Sequence, residues 1–452
     1  MLNHLNYDVI VCGAGSAGIC AAVAAARNGA KTLLLEHYDD IGGTMVHALV
    51  FPAMTFHATV DHQVIKGIPE ELVQIAIRHG GCPGHIPDPI GTAATITPIE
   101  PNVFRDSMIE LLSHPNLTVQ TGVTIETVVK NANRVTGLVI KIGNSPKTTL
   151  TADVIIDASG DAAIAAFAGA EFTVGREKDH KTQPLSLIFV MQGVDIAKVR
   201  DYIRRHPEDF VLSELARTHL NDLPRLAVAG FFSTVKSAQK TDHLVQFRDR
   251  VLFFEMATPG EVNINMTRVY ANGLDTVDLE SAYKAARDQV DECVILLLHH
   301  IPGFEYATLK EVANRIGVRE TRHIHGDYTL TEYDVVEGKK FADGIACGAF
   351  PIDIHSPDGN AMSITHMEPG TYYSIPYRCL LPKGIEGLLV AGRPISATHE
   401  AAGSARLSPT CMALGEAAGT AAALSVTHHC LPRELDVEQL RDQLKNQGAV
   451  VE

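Results

Sequence analysis

The sequence predicts a mixed α/β fold in which a parallel sheet is interrupted by a second domain that contains antiparallel strands. Near the N-terminus, an apolar strand at 7–12 leads into a glycine-rich turn, an alanine-rich helix and a second apolar strand at 31–35. Near the C-terminus, an apolar strand at 387–392 ends on Ala-Gly and precedes another alanine-rich helix. Between 171 and 375 the runs are typical of antiparallel strands and one long helix.

The turn after the first strand predicts a dinucleotide-binding site. It contains glycines at 13, 15 and 18, and an acid, Glu36, follows the second strand. In this strand–turn–helix context, the first glycine makes the tight turn, the second lets the backbone approach a pyrophosphate, and the third lets helix and strand pack closely. The helix N-terminus offers N–H groups to the phosphates, and the acid binds a ribose. We therefore predict a Rossmann-like domain with a parallel sheet.

Composition limits the partners and the compartment. The net charge of −15 argues against a nucleic-acid partner, and the eight cysteines include no C-x-x-C pair, which is typical of reduced thiols. The apolar run at 9–26 contains the glycine turn and follows an acidic residue, so we predict neither a membrane span nor a secretory signal. We expect a cytoplasmic protein that acts on a small-molecule substrate, with no membrane partner. Acidic proteins of this kind often form homodimers.

The remaining elements follow from periodicity and turn residues. Residues 1–170 and 376–452 are predicted to form the nucleotide-binding domain, and 171–375 an inserted α+β substrate (cap) domain. Residues 45–100, rich in His, Pro, Gly and Thr, are predicted to be loops around a site. The predicted helices are 100–112, 279–299 and 409–426. The predicted strands are 117–129, a hairpin within 124–140, 152–157, 185–191, 250–254 and 261–269.

Three short motifs identify the dinucleotide by resemblance. They are a double glycine at 42–43 soon after the acid, Ala-Ser-Gly-Asp at 158–161 after a buried strand, and Ala-Gly-Arg at 391–393. They resemble the motifs of FAD-binding flavoproteins with a glutathione-reductase type of Rossmann domain, which implies FAD as the cofactor. Many of these relatives have an acid where Arg393 stands. The fingerprint and the resemblance together assign these residues to FAD: Gly13, Ala14, Gly15, Ser16, Ala17, Gly18, Glu36, His37, Gly42, Gly43, Thr44, Val123, Ser159, Gly160, Asp161, Gly392, Arg393, Pro409, Thr410, Cys411 and Met412.

The C-terminal half resembles one family more specifically. The matching stretches are 314–322, 348–355, 372–382 and 390–413. Together they look like the FAD-dependent oxidoreductase family, which is distantly similar to the fumarate reductase and succinate dehydrogenase flavoproteins. The resemblance covers essentially the whole chain and is tightest from 312 to 424. It implies a flavoenzyme without naming its substrate.

Two residues before the C-terminal helix are the catalytic candidates. In the family, the positive end of that helix points at the flavin N1/C2 region, where negative charge accumulates on reduction. Arg406 is expected to stabilise the same anion or a substrate carboxylate, and His399 to handle a proton. The fumarate reductase relatives have a His-Gly-x-x-Arg stretch here, and the spacing from His399 to Arg406 differs from it. Either residue has a structural alternative, an ordinary hydrogen bond for His399 and an ion pair for Arg406.

Other polar residues leave alternatives open. Arg315, Arg319 and Arg322 form either an anion-binding face or an ion-pair network. His47 is a candidate for covalent attachment of the flavin by analogy with succinate dehydrogenase, although its surroundings do not match. The histidines of the early loop, and His323-Ile324-His325 with Asp353 or His355, match no metal-ligand spacing, and we predict no metal. Cys411 is expected to be a packing residue.

The predicted function is hydride exchange between a small organic substrate and flavin N5, in a dehydrogenase or oxidase. The electron acceptor or donor is not specified by the sequence. Three alternatives stay open: a fumarate-reductase-like reductase of activated C=C bonds, a monooxygenase, and a non-catalytic flavin-binding redox module. No second dinucleotide fingerprint is recognisable in the sequence.

Overall fold

The structure, a computed structural model, describes residues 5–241, 248–359 and 361–452. The strands are β1 (Asn6–Cys12), β2 (Thr32–Leu35), β3 (Ala53–Met54), β4 (His57–Thr59), β5 (His62–Gln63), β6 (Ile86–Pro87), β7 (Thr95–Thr97), β8 (Leu117–Gln120), β9 (Val123–Asn131), β10 (Arg134–Ile142), β11 (Thr148–Asp157), β12 (Phe172–Val174), β13 (Phe189–Gln192), β14 (Phe210–Val211), β15 (Ala227–Gly230), β16 (Val251–Glu255), β17 (Val262–Ile264), β18 (Thr308–Val312), β19 (Arg322–Ile324), β20 (Gly344–Gly348), β21 (Ile352–His355), β22 (Met362–Thr365), β23 (Tyr373–Pro376) and β24 (Leu388–Val390). The α-helices are α1 (Ser16–Arg27), α2 (Gly43–His47), α3 (Ile68–Arg78), α4 (Pro101–Leu111), α5 (Ala163–Ala168), α6 (Ile196–Arg205), α7 (Glu214–His219), α8 (Phe232–Thr241), α9 (Thr276–His300), α10 (Glu332–Val336), α11 (His399–Ala405), α12 (Ser408–Thr427) and α13 (Val437–Asn446).

The predicted parallel sheet is present and has a short antiparallel extension. Strands β8, β2, β1 and β11 lie side by side in that order and are parallel. The first half of β11 pairs with the β9–β10 hairpin, whereas its last residues pair in parallel with β24. The carboxyl ends of β1, β2, β11 and β24 therefore meet at one edge of the sheet. In open α/β sheets this edge is where nucleotides bind.

The second sheet is antiparallel throughout. Its strand order is β14-β15-β16-β17-β13-β18, and the long helix α9 lies in the same hydrophobic core. Apart from Leu49, the buried residues of this core lie between 185 and 313. Buried residues from 330 to 381 pack instead in the core that contains α1 and α12. The division of the chain at 171 and 375 stays a prediction.

Two predictions for the first 130 residues need correction. The region 45–100 is not all loop, because α3 occupies 68–78 and buries an amphipathic face. The helix is only 11 residues long and lies between Gly67, which has a positive φ, and His79, so its apolar periodicity is weak in the sequence. The predicted strand at 117–129 is two strands, separated by a turn in which Gly122 adopts φ +67°. In this second case only the predicted strand boundaries are wrong.

Helices α1 and α12 pack unusually closely, and two glycines of α12 make this possible. A Cβ on Gly415 would lie 2.0 Å from Ala17 O, and a Cβ on Gly419 would lie 2.0 Å from Ala21 O. Residues four apart lie on one face of a helix, so the pair forms a continuous contact surface. The contact explains why both alanine-rich helices are buried. Among the described helices, none is long and apolar enough to cross a membrane.

Glu416 is buried in the same region and makes stability depend on pH. Its Oε2 accepts the N–H of Ile68 at 3.0 Å, and burial raises the pKa of this carboxyl to about 8. In the unfolded chain the group ionises near 4.5, so the folded protein loses stability as the pH rises from about 5 to 8. We expect Glu416→Gln to be more stable than wild type at pH 8, relative to pH 5, by on the order of 3 kcal/mol.

Urea unfolding of the FAD-loaded protein at several pH values measures this difference. Any cost of burying the amide is independent of pH, so only the change with pH is diagnostic. Glu280→Gln, on the exposed face of α9, is the matched control and should follow wild type at every pH. A difference that is the same at pH 5 and pH 8 would contradict the prediction.

Candidate cofactor and substrate site

The glycine turn has the backbone geometry that the fingerprint predicts. Gly13 adopts φ +106°, and a Cβ there would lie 2.5 Å from Ala158 O. A Cβ on Gly18 would lie 1.7 Å from Gly13 O, so helix α1 approaches the turn without a side chain between them. Any larger residue at either position would have to displace backbone atoms. The turn is thereby held against the carboxyl end of β11.

The double glycine contacts this turn directly. Gly42 adopts φ +116° and donates its N–H to Ala14 O at 2.8 Å. Gly43 adopts φ +56°, and a Cβ there would lie 2.7 Å from Gly15 Cα. The two glycine-rich segments, 25 residues apart in the sequence, therefore form one narrow cradle of backbone atoms.

Glu36 closes one end of the cradle. Its Oε2 accepts the N–H of Ala14 at 2.6 Å, and its Oε1 accepts the N–H of Tyr38 at 3.0 Å. A carboxylate has about four acceptor positions, so two remain for ribose hydroxyls. Val123 lies beside it and donates its N–H to the Glu36 carbonyl at 2.9 Å, whereas the neighbouring side chain of His37 is exposed.

The other end is formed by the residues after β11 and β24. The buried Asp157 carboxylate accepts hydrogen bonds from Ser159 and from the start of α5, which fixes the Ser159–Asp161 turn. Arg393 then donates to Asp161 Oδ1 at 2.7 Å. The acid that many relatives have at position 393 is replaced here by an arginine–aspartate pair between the two motifs.

Two helix N-termini converge on this cradle. Neither Gly15, before α1, nor Leu407, before α12, provides a side-chain cap, so N–H groups of both first turns stay available. Gly392 lies between them, since a Cβ there would be 2.9 Å from the Ala17 Cβ and 4.0 Å from the Cys411 Cβ. The bare N–H groups, the glycine backbone and the free acceptors of Glu36 fit an extended dinucleotide with FAD chemistry.

His399 begins α11 and is bound to a carboxylate from another part of the chain. Its Nδ1 lies 2.7 Å from Glu320 Oε1, and both side chains are buried. Burial raises the pKa of Glu320, but hydrogen bonds from His323 and His399 outweigh it and hold the pKa at about 2. Glu320 Oε2 accepts the N–H of Gln183 at 3.0 Å. The carboxylate thus stays ionised and orients the histidine at any ordinary pH.

Arg406 lies at the end of α11 and contacts a second buried polar group. Its Nη2 donates to Asp353 O at 3.2 Å and lies 3.8 Å from Asp353 Oδ2 and 3.5 Å from Gln183 Oε1. His355 Nε2 lies 3.2 Å from the same aspartate oxygen. Gln183 connects this group to Glu320, so His399 and Arg406 belong to one buried polar network.

A cavity of about 850 Å³ opens beside His399. Its walls come from the start of α11, the β21–β22 hairpin and the segment after β12. The lining residues include Arg176, Lys178, Ile354, Ser363, His399 and Glu400. Its volume is that of an ordinary small-molecule site.

The three arginines grouped in the sequence do not form a common face. The Arg315 guanidinium stacks over the Tyr38 ring at 3.1 Å near the Glu36 end of the cradle. Arg319 donates to Pro184 O near Arg406, and Arg322 donates to Asp161 O and lies over Phe172. Of the two alternatives that the sequence left open, an anion-binding face shared by all three is therefore not formed, because a turn and a strand direct the three side chains to different places.

The two speculative histidine sites are not assembled. His47 Nε2 lies 2.9 Å from Ile41 O, and Asn314 Nδ2 lies 3.5 Å from its Nδ1, so the protein occupies both ring nitrogens. In the described part of the chain, no group of three or more His, Cys, Asp or Glu side chains is arranged to hold a metal ion. Cys411 is buried, which raises the pKa of its thiol to about 12 and agrees with a packing role.

Several site residues were missed by sequence reasoning. Glu320 and Gln183 gave no signal of their own, because a single acid or amide has no motif. Asp353 and His355 were considered only as metal ligands. Arg248 and Arg268, buried on the cap side of the same network, were not singled out. Charge that is buried by tertiary contacts leaves no recognisable pattern in the sequence.

The fold and the cradle define a mixed α/β flavoprotein of the Rossmann type. Residues 8–444 match the family described as FAD dependent oxidoreductase. The chain therefore belongs to the FAD-dependent oxidoreductase family: it is an enzyme, and its cofactor is FAD.

Solved structures with the same general fold are more distant. A geranylgeranyl bacteriochlorophyll reductase-like protein from Thermoplasma acidophilum is 14% identical, with 98% of this chain and 84% of that chain covered and a TM-score of 0.44. The p-nitrophenol 4-monooxygenase of Pseudomonas putida is 11% identical, with 98% and 81% covered and a TM-score of 0.47.

Proposed function

We propose that this enzyme is a dehydrogenase or oxidase that transfers a hydride from a small organic substrate to flavin N5. The observation that carries the proposal is the His399–Glu320 pair, joined at 2.7 Å. His399 lines a cavity of about 850 Å³ and begins α11, the helix just before α12, whose N-terminus lies at the cofactor cradle. Hydride exchange at N5 is the chemistry that FAD supplies when it is bound.

His399 has the arrangement of a proton acceptor. Its Nδ1–H is donated to the ionised Glu320, which leaves Nε2 as the nitrogen that can take a proton. Oxidation of a C–OH or C–NH group releases a proton together with the hydride, and this proton goes to Nε2. Glu320 stabilises the charged histidine that results, so the pair supports substrate oxidation.

Arg406 and the N-terminus of α12 would stabilise negative charge, whereas Glu320 stabilises the positive charge on His399. Arg406 lies immediately before α12, whose first turn has no side-chain cap. A positive helix end and a guanidinium stabilise negative charge that develops near them. Both groups favour uptake of a hydride by the bound cofactor.

Anaerobic titration of the FAD-loaded protein with a panel of alcohols, hydroxy acids and amines tests the proposal. We expect at least one donor to bleach the flavin absorbance in the absence of any nicotinamide. Reoxidation by air then identifies an oxidase, and reoxidation only by an added quinone or dye identifies a dehydrogenase. Flavin that is reduced by NAD(P)H and by no organic donor would contradict the proposal.

A further inference from the structure

We infer that the substrate is a small organic carboxylate, and that its anionic group binds among Arg268, Arg319, Arg406 and the side-chain amide of Gln183. The identification of this anion as the substrate rests on the function proposed above. The existence of an anion site at these residues stands on the structure of the network itself.

Two buried donors in this network have no acceptor. Gln183 Oε1 accepts the N–H of His355 at 3.1 Å and lies 3.5 Å from Arg406 Nη2. These two donors fix the orientation of the amide, and its Nε2 is left without a hydrogen-bond partner among the described residues. Gln183 is only 1% exposed, and the Nε of the adjacent Arg406 is likewise buried and unpartnered. Buried donors without acceptors are costly, so a ligand acceptor is expected here.

The charges around the network point to an anion. Arg248 and Arg268 are almost fully buried, and Arg319 and Arg406 lie close enough to them to act on one another. Burial, and then repulsion from Arg406 and Arg248, lowers the pKa of Arg319 well below its usual range. Guanidinium groups stay protonated at neutral pH. Three carboxylates, Asp249, Glu320 and Asp353, act on these four guanidinium groups, so positive charge is in excess.

His355 adds no further positive charge at neutral pH. Arg268 Nη2 can only donate, so the 3.2 Å contact makes His355 Nδ1 an acceptor and leaves the ring proton on Nε2, facing Asp353. Burial and the nearby Arg319 lower the pKa of His355 to about 3. Despite burial, His355, Arg406 and Arg319 hold the pKa of Asp353 well below its usual range. Asp353 is therefore an internal anion that competes with a ligand carboxylate for the same arginines.

A purely structural ion-pair network does not explain this arrangement. A buried charge is tolerated when it is paired and fully hydrogen-bonded, whereas here the arginines outnumber the carboxylates that act on them, and donors stay unpaired. Arginine is the side chain best suited to bind a carboxylate, with two parallel hydrogen bonds. The same network continues through Gln183 to Glu320 and His399, so the anion binds next to the proton acceptor.

Calorimetric titration of the full-length, FAD-loaded protein at constant ionic strength tests the inference. The probes are acetate, malonate and succinate, each compared with its uncharged amide, and sodium chloride keeps the salt constant. We expect at least one carboxylate to bind at least about tenfold more tightly than its amide, because charge-assisted hydrogen bonds are lost in the amide. Equal binding of acids and amides, or no binding of any acid, would overturn the inference.

Two substitutions are expected to change the affinity for carboxylates in opposite directions. Arg319→Gln is expected to weaken carboxylate binding about tenfold or more, whereas Asp353→Asn removes the competing internal anion and is expected to strengthen it. Arg287→Gln, at an exposed arginine of α9, is the matched control and should bind as wild type. Weaker binding by Asp353→Asn in a folded, FAD-loaded protein, or unchanged binding by Arg319→Gln, would overturn the assignment.

The two proposals fail in different ways. If the protein binds a carboxylate but no organic donor reduces its flavin, the proposed function is contradicted and the anion site stays in place. Reduction by neutral donors, in a protein that binds no carboxylate, would support the proposed function and overturn this inference.

Discussion

Gly43→Ala is expected to abolish FAD binding in a protein that still folds. Gly43 adopts φ +56°, and a Cβ there would lie 2.7 Å from Gly15 Cα, closer than real Cβ atoms approach backbone. Relief of this contact must move the double glycine away from the glycine turn, and both segments form the cradle for the pyrophosphate. We expect FAD affinity to fall at least about 100-fold, which corresponds to about 2.7 kcal/mol.

The control for this prediction separates backbone strain from the contact. Gly29 also adopts a positive φ, +93°, but a Cβ there would meet nothing within 4 Å. Gly29→Ala should therefore lose about 1–2 kcal/mol of stability and keep its FAD. Quenching of FAD fluorescence on titration with apoprotein measures both affinities, and circular dichroism checks the fold. Equal loss of FAD in both variants would show that strain, not the cradle, is responsible.

The nucleotide site was predictable because its signals are local in sequence. Gly13, Gly15 and Gly18 lie within six residues of one another, and Gly13 and Gly18 are each required by a backbone approach that any side chain would block. Glu36 and the double glycine follow within the same strand–helix–strand unit, so their meeting at the turn is fixed by the topology. The sequence therefore carries enough information to place these groups before the tertiary structure is known.

The candidate substrate network was only half predictable. His399 and Arg406 were singled out because they precede a recognisable helix, whereas Glu320 lies 79 residues before His399 and approaches it only when the chain folds. Gln183 and Arg268 lie outside strands and helices, in segments where the residues themselves form no motif. Charge that is buried by tertiary contact has no periodic signature, since periodicity reports apolar faces.

The two halves of the candidate site should tolerate amino-acid substitutions differently. The cradle depends on steric exclusion, so almost any side chain at Gly13 or Gly43 is harmful. The proposed substrate network depends on charge and hydrogen bonds, so substitutions in it should alter rate and affinity without removing the cofactor. Substitutions at His399 and Glu320 test that separation directly.

His399→Asn is expected to slow flavin reduction at saturating substrate by about 10²–10⁴-fold, because a positioned proton acceptor contributes a factor of this size. FAD content should not change, since His399 is bonded to Glu320 and not to the cradle. Stopped-flow absorbance under anaerobic conditions measures the reduction rate separately from reoxidation. His325→Asn is the control, because His325 pairs with Glu171 at a partly exposed position. Equal slowing by both substitutions would contradict the assigned role.

Glu320→Gln gives a second, more specific result. In wild type the carboxylate, with its pKa held at about 2, stays ionised from about pH 4 upward, so it does not itself cause a change in rate between pH 5 and 9. The substitution removes a negative charge 2.7 Å from His399 Nδ1, so the positive charge that develops on the ring as it takes up the substrate proton is less stabilised. The maximum rate should therefore fall, and the shape of its pH profile should change. A purely structural Glu320 would lower the rate equally at every pH, which distinguishes packing from proton transfer.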